Sequence, residues 1–171
     1  VGRITETDPN MVAAATVPAE RTTDTSSLTK AYLDLTTALV SDETAPAALK
    51  NLIAAAKALA EKAPTSIATP AALVAKEAAA LVDKDLAAQR GALKALSERV
   101  IALVRAEPPA SMTLYVAHCP MVEADWLQTG QTIANPYMGS SMPRCGALSG
   151  TIMPQSIQDR GQYLTGYFCP I

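Results

Sequence analysis

Four stretches between Ser27 and Pro108 repeat apolar residues at three- and four-residue spacing, with prolines or short polar connections between them. That alternation restricts this part of the chain to a helical array. The first stripe, Leu28, Tyr32, Leu35 and Leu39, opens behind a capping Ser27. The second, Leu49, Leu52, Ile53, Ala56 and Leu59, follows Thr44-Ala45-Pro46, a cap with proline in the first turn, and runs to Pro64. Thr69 before Pro70 repeats the device for a third stripe of Leu73, Glu77, Ala80 and Leu81. The fourth has Asp83 and Asp85 at its start, carries Leu86, Leu93, Leu96, Val100 and Leu103, and stops at Pro108-Pro109. Short connections set neighbouring helices antiparallel. The expected fold is therefore mainly α: an antiparallel four-helix up-down bundle followed by a loop-rich C-terminal region with one or two short strands.

The composition agrees with small-residue helix packing. Hydrophobic residues make up 49% of the 171, enough for one core, while aromatics make up only 4%, so alanine and leucine fill the seams. A net charge of −2 provides no basic surface that could release counterions from a phosphate backbone, which argues against a nucleic-acid partner. The alanine-rich segments are interrupted by Lys57, Lys76, Glu77 and Lys84, so no membrane span is expected. Charges scattered singly over the helices read as solvated faces. Residues 1–26, polar and broken by Pro9 and Pro18, read as an extended tail or linker. A start at Val1 without a basic or apolar leader is what removal of a leader or a longer N-terminal part would leave.

The reactive side chains lie beyond the helices. His118, the three cysteines (Cys119, Cys145, Cys169) and five methionines (Met112, Met121, Met138, Met142, Met153) all follow Pro109. Met112 to Val116 alternates well enough for a short strand. Two clusters then stand out: His118-Cys119-x-Met121, where Pro120 fixes φ, and Met138-Gly-Ser-Ser-Met142-Pro-Arg-Cys145-Gly146, whose Met-x-x-Cys spacing is that of one tight turn. Thiols and thioethers select soft ions such as Cu(I), and imidazole serves copper and zinc alike. Spacing alone leaves open a Cys119–Cys145 disulfide with methionines as core fillers. Catalysis has little support. There is no Gly-x-Ser-x-Gly elbow, Glu123 and Asp125 read as loop acids without an orienting partner, and neighbours such as His118 and Cys119 point to opposite sides of an extended segment. A single His also argues against a blue-copper centre, which uses two.

The segments Tyr115-Val116-Ala117-His118-Cys119-Pro120-Met121, Ala124-Asp125-Trp126-Leu127 and Ile133-Ala134-Asn135-Pro136-Tyr137-Met138-Gly139-Ser140-Ser141-Met142-Pro143-Arg144-Cys145-Gly146 together resemble the bacterial DUF3347 family, as do Gln89-Arg90 and Leu96-Ser97-Glu98 in the helical part. The resemblance divides the chain into residues 27–150, a DUF3347-like helical bundle with metal-site loops, and 151–171, a C-terminal tail with Tyr163, Tyr167, Phe168 and Cys169. It implies a periplasmic or secreted domain linked to heavy-metal efflux. Cys119, Met121, Met142 and Cys145 would be the core ligands, His118 would accompany them, and Trp126, Asn135 and Tyr137 would support the loops. Met138 stands where relatives carry a second aromatic, and would be an extra thioether or a packing residue. The loop from Met121 to Asp125 is shorter than in many relatives. The expected function is copper binding, Cu(I) before zinc, by a non-enzymatic carrier or buffer in metal homeostasis or efflux. The alternative is an accessory subunit with a Cys119–Cys145 disulfide, docked on a larger cell-envelope complex.

Overall fold

The structure is a computed structural model that describes residues 23–158; the expected tail over 1–22, the late aromatics and Cys169 lie outside the described residues. Four helices come first: α1 (Ser26–Val40), α2 (Pro46–Lys62), α3 (Thr65–Ala79) and α4 (Leu86–Ala106). Three strands follow, β1 (Leu114–Cys119), β2 (Ala124–Gln128) and β3 (Ala147–Ile152), with a 3-10 turn, Gly139–Ser141, before β3. Each helix packs on the next, and α1 also meets α4.

The stripes of α1, α2 and α4 are buried largely as the periodicity predicts: Leu28, Tyr32, Leu35 and Leu39; Leu49, Leu52, Ala56 and Leu59; Leu93, Leu96, Val100 and Leu103. The caps fall differently. Helix α1 starts behind Thr25, whose hydroxyl donates to the Glu107 carbonyl at 2.8 Å and so ties the first helix to the end of the fourth. Helix α2 starts behind Ala45 rather than Thr44, with Pro46 as its first residue. Asp85 caps α4 as expected, accepting from the Ala88 N–H at 2.8 Å.

Helix α3 departs from expectation. It begins at Thr65, one turn before the expected start, and Pro70 lies inside it. Proline there removes the bond to the Ser66 carbonyl, but Ser66 is exposed, so water can satisfy that group. The earlier start lets Ile67 enter the core, and the buried face becomes Ile67, Ala71, Val74, Ala75 and Ala78. Leu73 is left exposed, and Glu77 turns to pair with Arg99.

The strands number three, not one or two, and form an antiparallel sheet in the order β2-β1-β3. Cys119 pairs with Ala124 and His118 with Asp125 across the β1–β2 hairpin, whose turn holds Glu123 at φ +48°. A bulge between Val116 and Ala117 shifts the β1–β3 register and buries two successive side chains, which breaks the period of two. Strand β2 packs on α4, so Trp126 and Leu127 join the helical leucines in one continuous core. The sheet therefore rests on the helices and fixes where its connecting loops stand.

Candidate metal centre

Cys119 ends β1 on its buried face, and Cys145 lies half-buried just ahead of β3. Two sets of contacts bring these distant positions together. Asn135 is fully buried: its side-chain amide donates to the Cys145 carbonyl at 2.7 Å, its backbone N–H donates to the Pro143 carbonyl at 2.9 Å, and its side-chain oxygen accepts from the N–H groups of Tyr137 and Met138. Gly146, at φ +131°, lets the backbone pass so close to β1 that a Cβ there would stand 2.6 Å from the His118 carbonyl oxygen and 3.0 Å from the Trp126 ring. Only glycine fits both the backbone angle and the space.

The two thiols are free, and each is near enough to shift the other's titration. Burial by itself pushes the Cys119 thiol up. Hydrogen bonds from the Asn135 side chain, the backbone N–H groups of Val122 and Met121, and Cys145 outweigh it, and hold Cys119 below the ordinary thiol range. The Cys145 thiol is raised by burial first, then by the neighbouring charge and hydrogen bond of Cys119. Cys119 is therefore the more acidic of the two, and the cysteines make a soft two-sulfur pair.

The other expected ligands are distributed around this pair with different roles. Met121, in the hairpin turn, is 64% exposed, and Met142 is 39% exposed, so both thioethers face solvent two or three residues from a cysteine. The Cys145 N–H closes a turn onto the Met142 carbonyl at 3.1 Å. Met138 packs partly buried against the core. His118 stands apart from the sulfurs. It alternates with Cys119 along β1, its side chain is 40% exposed, and Nδ1 lies 2.7 Å from Asp125 Oδ1, with Glu123 at 4.0 Å from Nε2. Asp125 is thus a strand residue with a partner, not an unoriented loop acid. Among the described residues no group of three or more His, Cys, Asp and Glu is placed to hold a metal ion.

The supports extend into the helices, where the sequence showed only surface charge. Arg90 of α4 donates to the Pro136 carbonyl at 3.0 Å and to the Leu39 carbonyl, and pairs with Asp42. Asp42, at φ +59°, in turn accepts from the backbone N–H and hydroxyl of Ser140. Gly139, at φ +54°, leaves room for that latch, since a Cβ there would run into Arg90 and Asp42. The Ser97 hydroxyl lies 2.6 Å from that of Tyr32 and 3.3 Å from that of Tyr137, and Tyr137 donates its one proton to the Asp125 carbonyl at 2.7 Å. Burial pushes both tyrosines well above the ordinary phenol range, so they act as neutral hydrogen-bonding groups. Trp126 donates to Gln128 at 3.1 Å and meets Tyr137 edge-on, ring centres 6.1 Å apart.

The latch makes a pH prediction. The Arg90 hydrogen bond, followed by that of Ser140, lowers Asp42 from a usual 3.8 to about 2. A depressed carboxylate favours the folded form above its unfolded value and loses that contribution as pH falls through the folded one. Carboxyl NMR should therefore place the Asp42 midpoint near 2, with the latch intact above about pH 4. Arg90→Gln should return the midpoint toward 3.8, and an unmoved midpoint would exclude Arg90 as the cause.

A family model described as a protein of unknown function, DUF3347, matches residues 28–111. The match spans the four helices and ends before β1, so the two sulfurs lie beyond it. No curated protein and no solved structure matches the chain.

Proposed function

On a chain whose residues 28–111 belong to the DUF3347 family, proteins of unknown function, we propose that Cys119 and Cys145 hold a soft metal ion, Cu(I) before zinc, in a periplasmic or secreted carrier or buffer of metal homeostasis or efflux. The observation that carries this reading is the meeting of two free thiols at the end of β1, brought there by the β1–β3 register, the Asn135 bond to the Cys145 carbonyl and the close approach of Gly146. Two thiolates suit Cu(I), and the ordering donors around them are in place before an ion arrives. Zinc is the weaker fit, because structural zinc takes four ligands and His118 is engaged with Asp125 on the other face of β1. The solvent-facing thioethers of Met121 and Met142 suit capture and release of the same ion. The helices, as an antiparallel up-down bundle, act as scaffold, and the role is ligand exchange rather than catalysis.

The adjacency of the thiols also suits a second reading, an accessory subunit with a Cys119–Cys145 disulfide docked on a cell-envelope complex. One experiment separates the two. Free thiols are counted in the native protein, and Cu(I) is titrated under reducing conditions against a colorimetric chelator. The carrier shows reduced Cys119 and Cys145 and stoichiometric uptake; a bridged pair in the native protein and no uptake after reduction would end it.

A further inference from the structure

The two sulfurs differ sharply in access. Cys119 is fully buried at the end of β1, behind the N–H groups of its own turn and the Asn135 amide, whereas Cys145 is half-buried at the rim. The register that sets His118 opposite Ala147, and the close approach of Gly146 to the His118 carbonyl, nonetheless put Cys145 beside the end of β1, so the two sulfurs sit on neighbouring main chains. From access and adjacency together, we propose that the pair undergoes ordered thiol–disulfide exchange with low-molecular-weight disulfides, with Cys145 as the entry sulfur and Cys119 as the resolving sulfur. Its consequence rests on the metal reading above: closing the S–S bond switches the site off.

In the first step Cys145, chosen by access rather than acidity, gives its proton to solvent and its sulfur attacks one sulfur of the external disulfide. A mixed disulfide forms at Cys145, and the other half leaves as a thiolate. In the second step the Cys119 sulfur, as thiolate, attacks the Cys145 sulfur of that mixed disulfide and expels the remaining half as a second thiolate. The cysteine pair loses two electrons, the external disulfide gains them, and the two cysteine protons go to solvent or to the released thiolates. A disulfide is the fitting oxidant class because it spares the exposed thioethers of Met121 and Met142, which a peroxide would also oxidise.

The test uses the whole chain with Cys169→Ser, which leaves the two sulfurs as its only cysteines. Metal-free protein is treated with oxidised glutathione, quenched at intervals with acid and followed by intact mass and peptide mapping. The expected course is a transient single adduct mapped to Cys145, then loss of two hydrogens. In the Cys119→Ser background the Cys145 adduct should persist, and in the Cys145→Ser background adduct formation at Cys119 should be at least ~10-fold slower, reflecting its burial. Far-UV circular dichroism establishes that each variant is folded, and the adduct map of the protein with both cysteines decides the order without either variant. A first adduct at Cys119, or a mixed disulfide at Cys145 that never resolves, overturns the proposal. A Cu(I) titration of the bridged and the re-reduced protein then tests the switch: uptake should return only on reduction. Exchange without uptake in either state overturns the metal reading alone, and uptake unaffected by the bridge overturns the switch.

Discussion

Cys145→Ser is expected to abolish stoichiometric Cu(I) uptake while leaving the fold in place. The substitution removes one of the two soft donors and puts a hard hydroxyl in its position. Its loss in affinity should exceed the ~10–100-fold typical of a lost outer-shell contact. The fold should survive, because Asn135 holds the Cys145 carbonyl, not its sulfur, and the side chain is only half-buried. Cys119→Ser should lose binding equally, although it alters a fully buried position. The matched control is Met138→Leu, which keeps the apolar packing and should retain most of the affinity. A competition titration with a Cu(I) chelator under reducing conditions measures all three. An affinity unchanged in Cys145→Ser would remove the two-sulfur centre from consideration.

Trp126→Ala carries the largest expected effect on stability, about 3–5 kcal/mol. The indole is fully buried, packs edge-on against Tyr137, donates to Gln128 and lies against the chain at Gly146. Removing it would open a cavity where β2 meets α4 and leave the Gln128 oxygen with only the Ala134 N–H as a donor. For a domain whose total stability is on the order of 5–15 kcal/mol, that is a large fraction. Urea unfolding followed by circular dichroism should show a much lower midpoint with a similar slope. A shift below about 1 kcal/mol would mean that the sheet does not share the helical core.

The helices were legible because their evidence is local: a stripe and its flanking prolines lie within twenty or so residues. Helix α3 was misplaced because Thr69-Pro70 imitates a start, while Ile67, the residue that anchors the earlier turn, lies before the proline. The strand expected over Met112 to Val116 overlaps β1, which starts at Leu114 and runs on to Cys119; the other two escaped notice for a different reason. Strand β2 is buried at four of five positions and β3 is almost wholly exposed, so neither alternates, and the bulge breaks the period of β1 after Val116.

At the site, both cysteines and the supporting Trp126, Asn135 and Tyr137 could be read from the motif. The diversion of His118 could not, because Asp125 becomes its neighbour only when the hairpin pairs them. Arg90 and Asp42 are 48 positions apart, and each reads singly as a surface charge. The available clue was the Gly139-Ser140 step, which accommodates the latch.

Gly146 bears on how this region can vary over evolutionary time. Its neighbours Ala147, Leu148 and Ser149 are exposed and can drift with little penalty, yet any side chain at 146 would wedge two main chains apart. Tolerance to mutation therefore changes abruptly from one residue to the next, and the spacing of the sulfurs is inherited through a position that has no side chain to select.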